Sequence, residues 1–282
     1  MLAIVGGLGA ALVFATVTLC NSRSSRMIGP SQLLAWVMLI GLAIVAPLVA
    51  LEGVPAGLDA GSGGWLAVAG IGNVTGLLLA YAALRIGKVG VVAPLVATQG
   101  AVAALLAVVA GETIEVGAGF SLAAIAVGVV LAGLAAEPGK EAARAEPRAT
   151  LFALGAAFAI GWSLYATARA SIELPVVWAL LPSRVIGVAA VTVPLALRSG
   201  LRMTREALPL VVVAGVCEVL GFALFALGAR HGIAVSAVLA SQFAALAAVA
   251  AYFLFGERLA RVQHAGVALI IVGVGVLSAL EA

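Results

Sequence analysis

Residues 208–228 read LPLVVVAGVCEVLGFALFALG, a nearly unbroken apolar run with one acid, Glu218, at its centre. A run of this length crosses the hydrocarbon core as a helix. A charge at the midpoint costs about 2.5–3.5 kcal/mol on insertion scales, so it must face a partner or a watery cavity. The local spelling is Gly215-x-x-Glu218-x-x-Gly221, and the first half repeats it as Gly70-x-x-Asn73-x-x-Gly76. The expectation is that each glycine pair clears space around one polar side chain near midplane.

The remaining chain is of the same kind. Of 282 residues, 64% are hydrophobic and 10% charged. A soluble domain has about 45–50% apolar and about 25% charged residues, so this is an integral membrane protein whose first partner is the lipid bilayer. The net charge of +3 is loop charge against headgroups, which excludes nucleic acid as a partner. Cys20 and Cys217 both lie in apolar runs and suggest no disulfide or zinc framework. His231 and His264 are too far apart to suggest a metal pair, and neither a metal nor another cofactor is expected. The chain has no Walker loop, no HExxH and no Ser/His/Asp set on its spans, so ATP drive and enzymatic function lack support.

Apolar runs bounded by polar or Gly/Pro punctuation give ten spans: 2–21, 31–51, 65–84, 89–110, 117–136, 150–169, 175–197, 207–228, 234–255 and 263–280. Residues 137–149, EPGKEAARAEPRA, form the one long polar connection. It is read as a linker between a five-helix repeat at 1–136 and a second at 150–282. Of the 15 basic residues, all but Arg169, Arg230 and the intramembrane Arg184 fall on the odd-to-even side of the spans. The positive-inside rule then puts both termini outside.

The halves resemble each other in order. Leu8-Gly9-Ala10-Ala11 matches Leu154-Gly155-Ala156-Ala157, Pro30 opens span 2 as Pro175 opens span 7, and Ala97-Thr98-Gln99 matches Ala240-Ser241-Gln242. Gly111-Glu112 follows span 4 as Gly256-Glu257 follows span 9. Five spans per half force the copies to enter the membrane in opposite directions. The expected fold is all-α: ten transmembrane helices as two inverted five-helix repeats around a central cavity, a construction typical of secondary transporters.

With Gly256-Glu257-Arg258-Leu259, Gln263, Gly266 and Gly273 in the second half, and Gly111-Glu112, Gly128 and Pro94 in the first, the chain resembles the drug/metabolite transporter superfamily in its ten-helix EamA-type branch. That resemblance implies a central cavity lined by both halves, the fifth helix of each half serving mainly for packing. It also implies a metabolite exporter of the bacterial inner membrane, and Arg184 fits the family's arginine in the second helix of a repeat. The chain departs from the pattern at Ala237, where span 4 has Pro94, and in a span 2 without arginine. The resemblance implies termini in the cytoplasm, where many relatives keep them, whereas the loop charges here point outside.

Glu218 and Arg184 are the two charges deep in spans. Together they suit a zwitterion, with Glu218 toward an ammonium or a proton and Arg184 toward a carboxylate; alternatively they pair with each other and hold two helices together. Asn73, the counterpart of Glu218, either lines the cavity, donating and accepting, or bonds across helices. Gln99 and Gln242 are repeat partners with ligand and packing roles both open. Pro94 removes a backbone hydrogen bond and is a candidate gate or a simple bend. Trp162 and Tyr165, at i and i+3 of span 6, share a face. With Tyr81 they are candidate walls for an apolar or aromatic substrate. Trp36, Trp65, Trp178 and Tyr252 read as an interfacial belt. The expected function is export of small molecules, amino acids including aromatic ones, by a monomer working through alternating access, with protons a candidate coupling ion. Export of cationic drugs, with Glu218 as cation partner and Arg184 structural, is the alternative within the class. A membrane scaffold without transport is the alternative outside it.

Overall fold

The computed structural model describes residues 1–87, 89–133, 147–198, 200–247, 250 and 261–280. Lys88, residues 137–146 of the linker, Tyr252 and the Gly256–Leu259 motif lie outside the described residues, as does the side chain of Gln263. All regular structure among the described residues is helical. In the first half α1 is Leu2–Ile28, α2 Pro30–Glu52, α3 Ala60–Ile86, α4 Val89–Ala97, α5 Gln99–Val109 and α6 Val116–Gly133. In the second, α7 is Pro147–Glu173, α8 Val176–Gly187, α9 Val193–Arg198, α10 Ala207–Ala229, α11 Ile233–Ala240 and α12 Arg261–Leu280. Among the described residues, seven helical stretches are long and apolar enough to cross a membrane, and two further apolar helices, Val116–Gly128 and Ile233–Ala247, are shorter.

Proline and glycine set the boundaries. Pro30 and Pro147 sit at helix starts, where the missing N–H is lost at no cost. Gly29, at φ 86°, turns the chain between α1 and α2; a side chain would be strained there. Asp59 caps α3: its carboxylate accepts from the Ser62 N–H at 2.7 Å, while the Ser62 hydroxyl accepts from the Asp59 N–H at 2.8 Å. This reciprocal pair satisfies two orphan donors. Between α8 and α9, Val188–Thr192 forms a π-helical turn. Pro194 explains its position, because a proline cannot donate one turn back. Within that turn the Thr192 hydroxyl donates to the Ala35 carbonyl of α2 at 3.2 Å.

Packing between the halves is reciprocal. α1 lies along α10 and α3 along α7; α1 also meets α11 as α7 meets α5, and α2 meets α10 as α8 meets α3. Exchanging every helix for the one five spans away turns each of these packings into its partner. α2 with α8, α5 with α11 and α6 with α12 map onto themselves.

The glycine pairs take part in this exchange, and they correct the expectation that they clear room for a polar side chain. A Cβ on Gly215 would meet Ile40 of α2 at 2.8 Å, and one on Gly70 would meet Ile186 of α8 at 2.7 Å. A Cβ on Gly221 would meet Phe14 of α1, and one on Gly76 would meet Ile160 of α7. Phe14 and Ile160 occupy matching positions in their repeats. The glycines therefore admit apolar side chains from neighbouring helices, as small residues do where packing drives association in lipid.

Candidate functional site

Glu218 and Arg184 meet at 3.1 Å, Arg184 Nη1 donating to Glu218 Oε1, with 1% and 0% of the side chains exposed. Arg184 Nη1 also lies 3.7 Å from Met38 Sδ. Gly41 of α2 makes room for the arginine, since a Cβ there would come within 2.7 Å of its Cδ. The pair ties α8 to α10 and is screened from lipid on every side. Such a pair roughly balances its own desolvation, and removing one partner leaves a costly lone charge. Among the described residues the second carboxylate oxygen, Oε2, has no hydrogen-bond partner, nor do Arg184 Nε and Nη2.

Glu218 lines a cavity of about 70 Å³, room for about five waters. Around it stand Asn21, Tyr81 and Gln99, with Phe14, Phe222 and Phe243 among the apolar walls. Phe14 and Phe222 pack edge to face at 5.3 Å. Asn21 Oδ1, Tyr81 Oη, Gln99 Oε1 and Glu218 Oε2 all lack hydrogen-bond partners among the described residues. Buried polar atoms are nearly always satisfied. The Asn21 and Tyr81 side chains are near enough to interact with each other, and the cavity beside the group has room for a ligand or water.

Of the expected site residues, Glu218, Tyr81 and Gln99 come together here. Arg184 is outside the lining, behind Glu218. Asn73 is 1% exposed and its Oδ1 has no partner among the described residues, yet it does not line this cavity. Gln242 is likewise buried, with Nε2 unpartnered, and only its neighbour Phe243 reaches the lining. Trp162 is half-buried and outside the lining. Tyr165 packs on Trp65 at 5.6 Å and borders a second space of about 580 Å³ with Glu112, Glu115, Arg169, Arg230 and His231. Trp36 and Trp178 do more than sit at an interface: their indole N–H groups donate to the carbonyls of Arg202 and Gly53 at 3.1 and 2.9 Å.

Pro94 lies in α4 four residues before a break at Thr98, whose hydroxyl donates to Leu95 at 2.7 Å. The same break recurs at Ser241, whose hydroxyl donates to Val238 at 2.7 Å, in a helix with Ala237 in place of the proline. Proline is therefore not the shared cause. Both breaks follow a hydroxyl that bonds its own backbone, and the two helices cross there closely: a Cβ on Gly100 would meet the Ser241 side chain at 2.6 Å.

Asn21 is the last residue of the span that hydropathy draws at 2–21 and so reads as a helix end, whereas α1 continues to Ile28. Phe14, Thr18 and Asn21, at i, i+4 and i+7, fall on one helical face, and all three line the cavity. That spacing was the available signal.

The model of the EamA-like transporter family matches residues 1–134. Just under half of the chain is thus similar to that family. A solved crystal structure resembles the chain at 19% identity and TM-score 0.76, covering 99% of this chain and 96% of the other; at that identity it speaks for the fold. A search of curated proteins returns no match. The EamA-like family, within the drug/metabolite transporter superfamily, consists of membrane transporters of small molecules. With its several apolar spans, the chain is a multi-pass membrane protein.

Proposed function

We propose that the chain is a secondary-active transporter of the bacterial inner membrane that exports small metabolites bearing an amino group, the class that includes amino acids, by alternating access. The observation that carries this reading is the single cavity into which α1, α3, α5 and α10 turn Asn21, Tyr81, Gln99 and Glu218. Three of these helices belong to one half and the fourth to the other. Reciprocal packing supports a two-fold relation between the halves. With five spans in each half, that relation requires opposite insertion, the inverted repeat on which alternating access is built. The cavity reaches toward the C-terminal ends of α1 and α3, the arginine-rich side. On the matching face of the other half, Leu164, Phe225 and Leu239 are fully packed, as expected for a state open to one side only.

Purified protein in liposomes tests the reading by counterflow. Labelled amino acids or amines should exchange several-fold faster than in empty vesicles. Failure of every solute to exceed empty vesicles would favour a membrane scaffold. Orientation is tested in a Cys20→Ala, Cys217→Ala background. Glu52→Cys should be labelled from outside and Arg205→Cys only after permeabilisation, placing both termini outside. Full retention of the response to a pH gradient by Glu218→Gln would exclude proton coupling through that carboxylate.

A further inference from the structure

Within the proposed transport reading, on which this inference rests, we propose that the cavity is a subsite for a small protonated primary amine and discriminates against carboxylates. Among the described residues Glu218 is the one charged side chain in the lining, and its buried Oε2 has no partner there while Oε1 is held by Arg184. Asn21 Oδ1 and Gln99 Oε1 add two further unpartnered acceptors. A primary ammonium carries three donors and no acceptor, which matches these three oxygens, and the Tyr81 hydroxyl stands beside them. Phe14, Phe222 and Phe243 supply apolar and aromatic surface for a short hydrocarbon tail and the face of a ring for the cation.

A substrate carboxylate finds no such match. The arginine that could receive it lies outside the lining, packed against Met38 and Gly41 and engaged with Glu218. A carboxylate inside the cavity would sit beside Glu218 Oε2 and repel it. The volume of about 70 Å³ also favours a ligand of about five or six non-hydrogen atoms, by the room a water needs.

Calorimetric titration of the purified detergent-solubilised protein at neutral pH tests this with three ligands of related shape: isoamylamine, leucine and isovalerate. Isoamylamine is leucine without its carboxyl group, and isovalerate is the matched acid without an amine. The expected result is binding of isoamylamine at least tenfold tighter than either of the others. Glu218→Gln should abolish it. Asn21→Leu, which leaves the ion pair intact and so keeps the fold, should weaken it about tenfold while the protein remains monodisperse. Equal or tighter binding of leucine or isovalerate, no binding of isoamylamine, or unchanged affinity in Asn21→Leu overturns the inference. Counterflow of leucine or any other solute in vesicles would in each of those cases leave the transporter reading standing.

Discussion

Glu218 and Asn73 occupy the same position in two copies of one motif, yet the copies have diverged in what they carry. The apolar surroundings match: glycines three residues to either side receive a side chain from the second helix of the other half and one from the first helix of the other half. The polar centres do not. Glu218 is bonded to Arg184 and lines a cavity, whereas Asn73 is buried without a partner for its Oδ1 and away from that cavity. Scaffold and chemistry have therefore been kept apart. The packing around the motif obeys the repeat, and the charge obeys only the second half, where span 7 has the arginine that span 2 lacks.

Breaking the ion pair gives the largest expected effect. Glu218→Ala or Arg184→Ala should destabilise the fold by about 3–5 kcal/mol in denaturant unfolding in detergent. The joint replacement Arg184→Met with Glu218→Leu should recover most of that. Asn73→Leu, which strands no charge, should cost under about 1 kcal/mol; a loss matching that of Glu218→Ala would abolish the contrast. Next come the glycines. Gly221→Ala and Gly76→Ala should each cost about 1–3 kcal/mol by overpacking against Phe14 and Ile160. A large loss at one and none at the other would break the reciprocity of the scaffold. Smaller still are the two indoles, each donating to a loop. Trp36→Phe and Trp178→Phe should cost about 0.5–1.5 kcal/mol apiece in the same assay.

The smallest effect separates the starts of α3 and α10. Asp59, at the cap of α3, is held below the usual carboxylate range, first by the Ser62 backbone N–H and then by the Ser62 hydroxyl. A carboxylate with a lowered folded-state pKa contributes stability above its unfolded value and loses it as pH falls through the folded value. The first turn of α3 should therefore show faster amide exchange below about pH 4. α10 begins instead with the Thr204 hydroxyl accepting from the Ala207 N–H at 3.2 Å, and its first turn should exchange with no such added loss of protection.

The apolar runs were legible because length and hydropathy alone specify a bilayer span: each of them contains helix among the described residues, although those at 89–110 and 234–255 break at Thr98 and Ser241. Direction around a helix was harder to read than depth along it. Trp162 is deep in α7 but half-buried and outside the cavity lining, whereas Tyr165, three residues on, faces a different space. Asn21 sits where hydropathy falls at the close of the span 2–21, and only the continuation of α1 to Ile28 makes it an interior helical position. The Gly-x-x-polar-x-x-Gly spelling was visible, but its meaning lay in the partners of the glycines, and those are long-range contacts that no local pattern records. The pairing of Arg184 with Glu218 was legible as an alternative because two charges in lipid have few other recourses.

Both members of that ion pair come from the later half, 34 residues apart in the chain. During synthesis at about 5–20 residues per second, the arginine precedes its carboxylate by about two to seven seconds. The earlier half, whose spans carry the neutral amides of Asn73 and Gln99 in place of such a pair, can therefore rest in lipid without a stranded charge until the later half arrives to cover it.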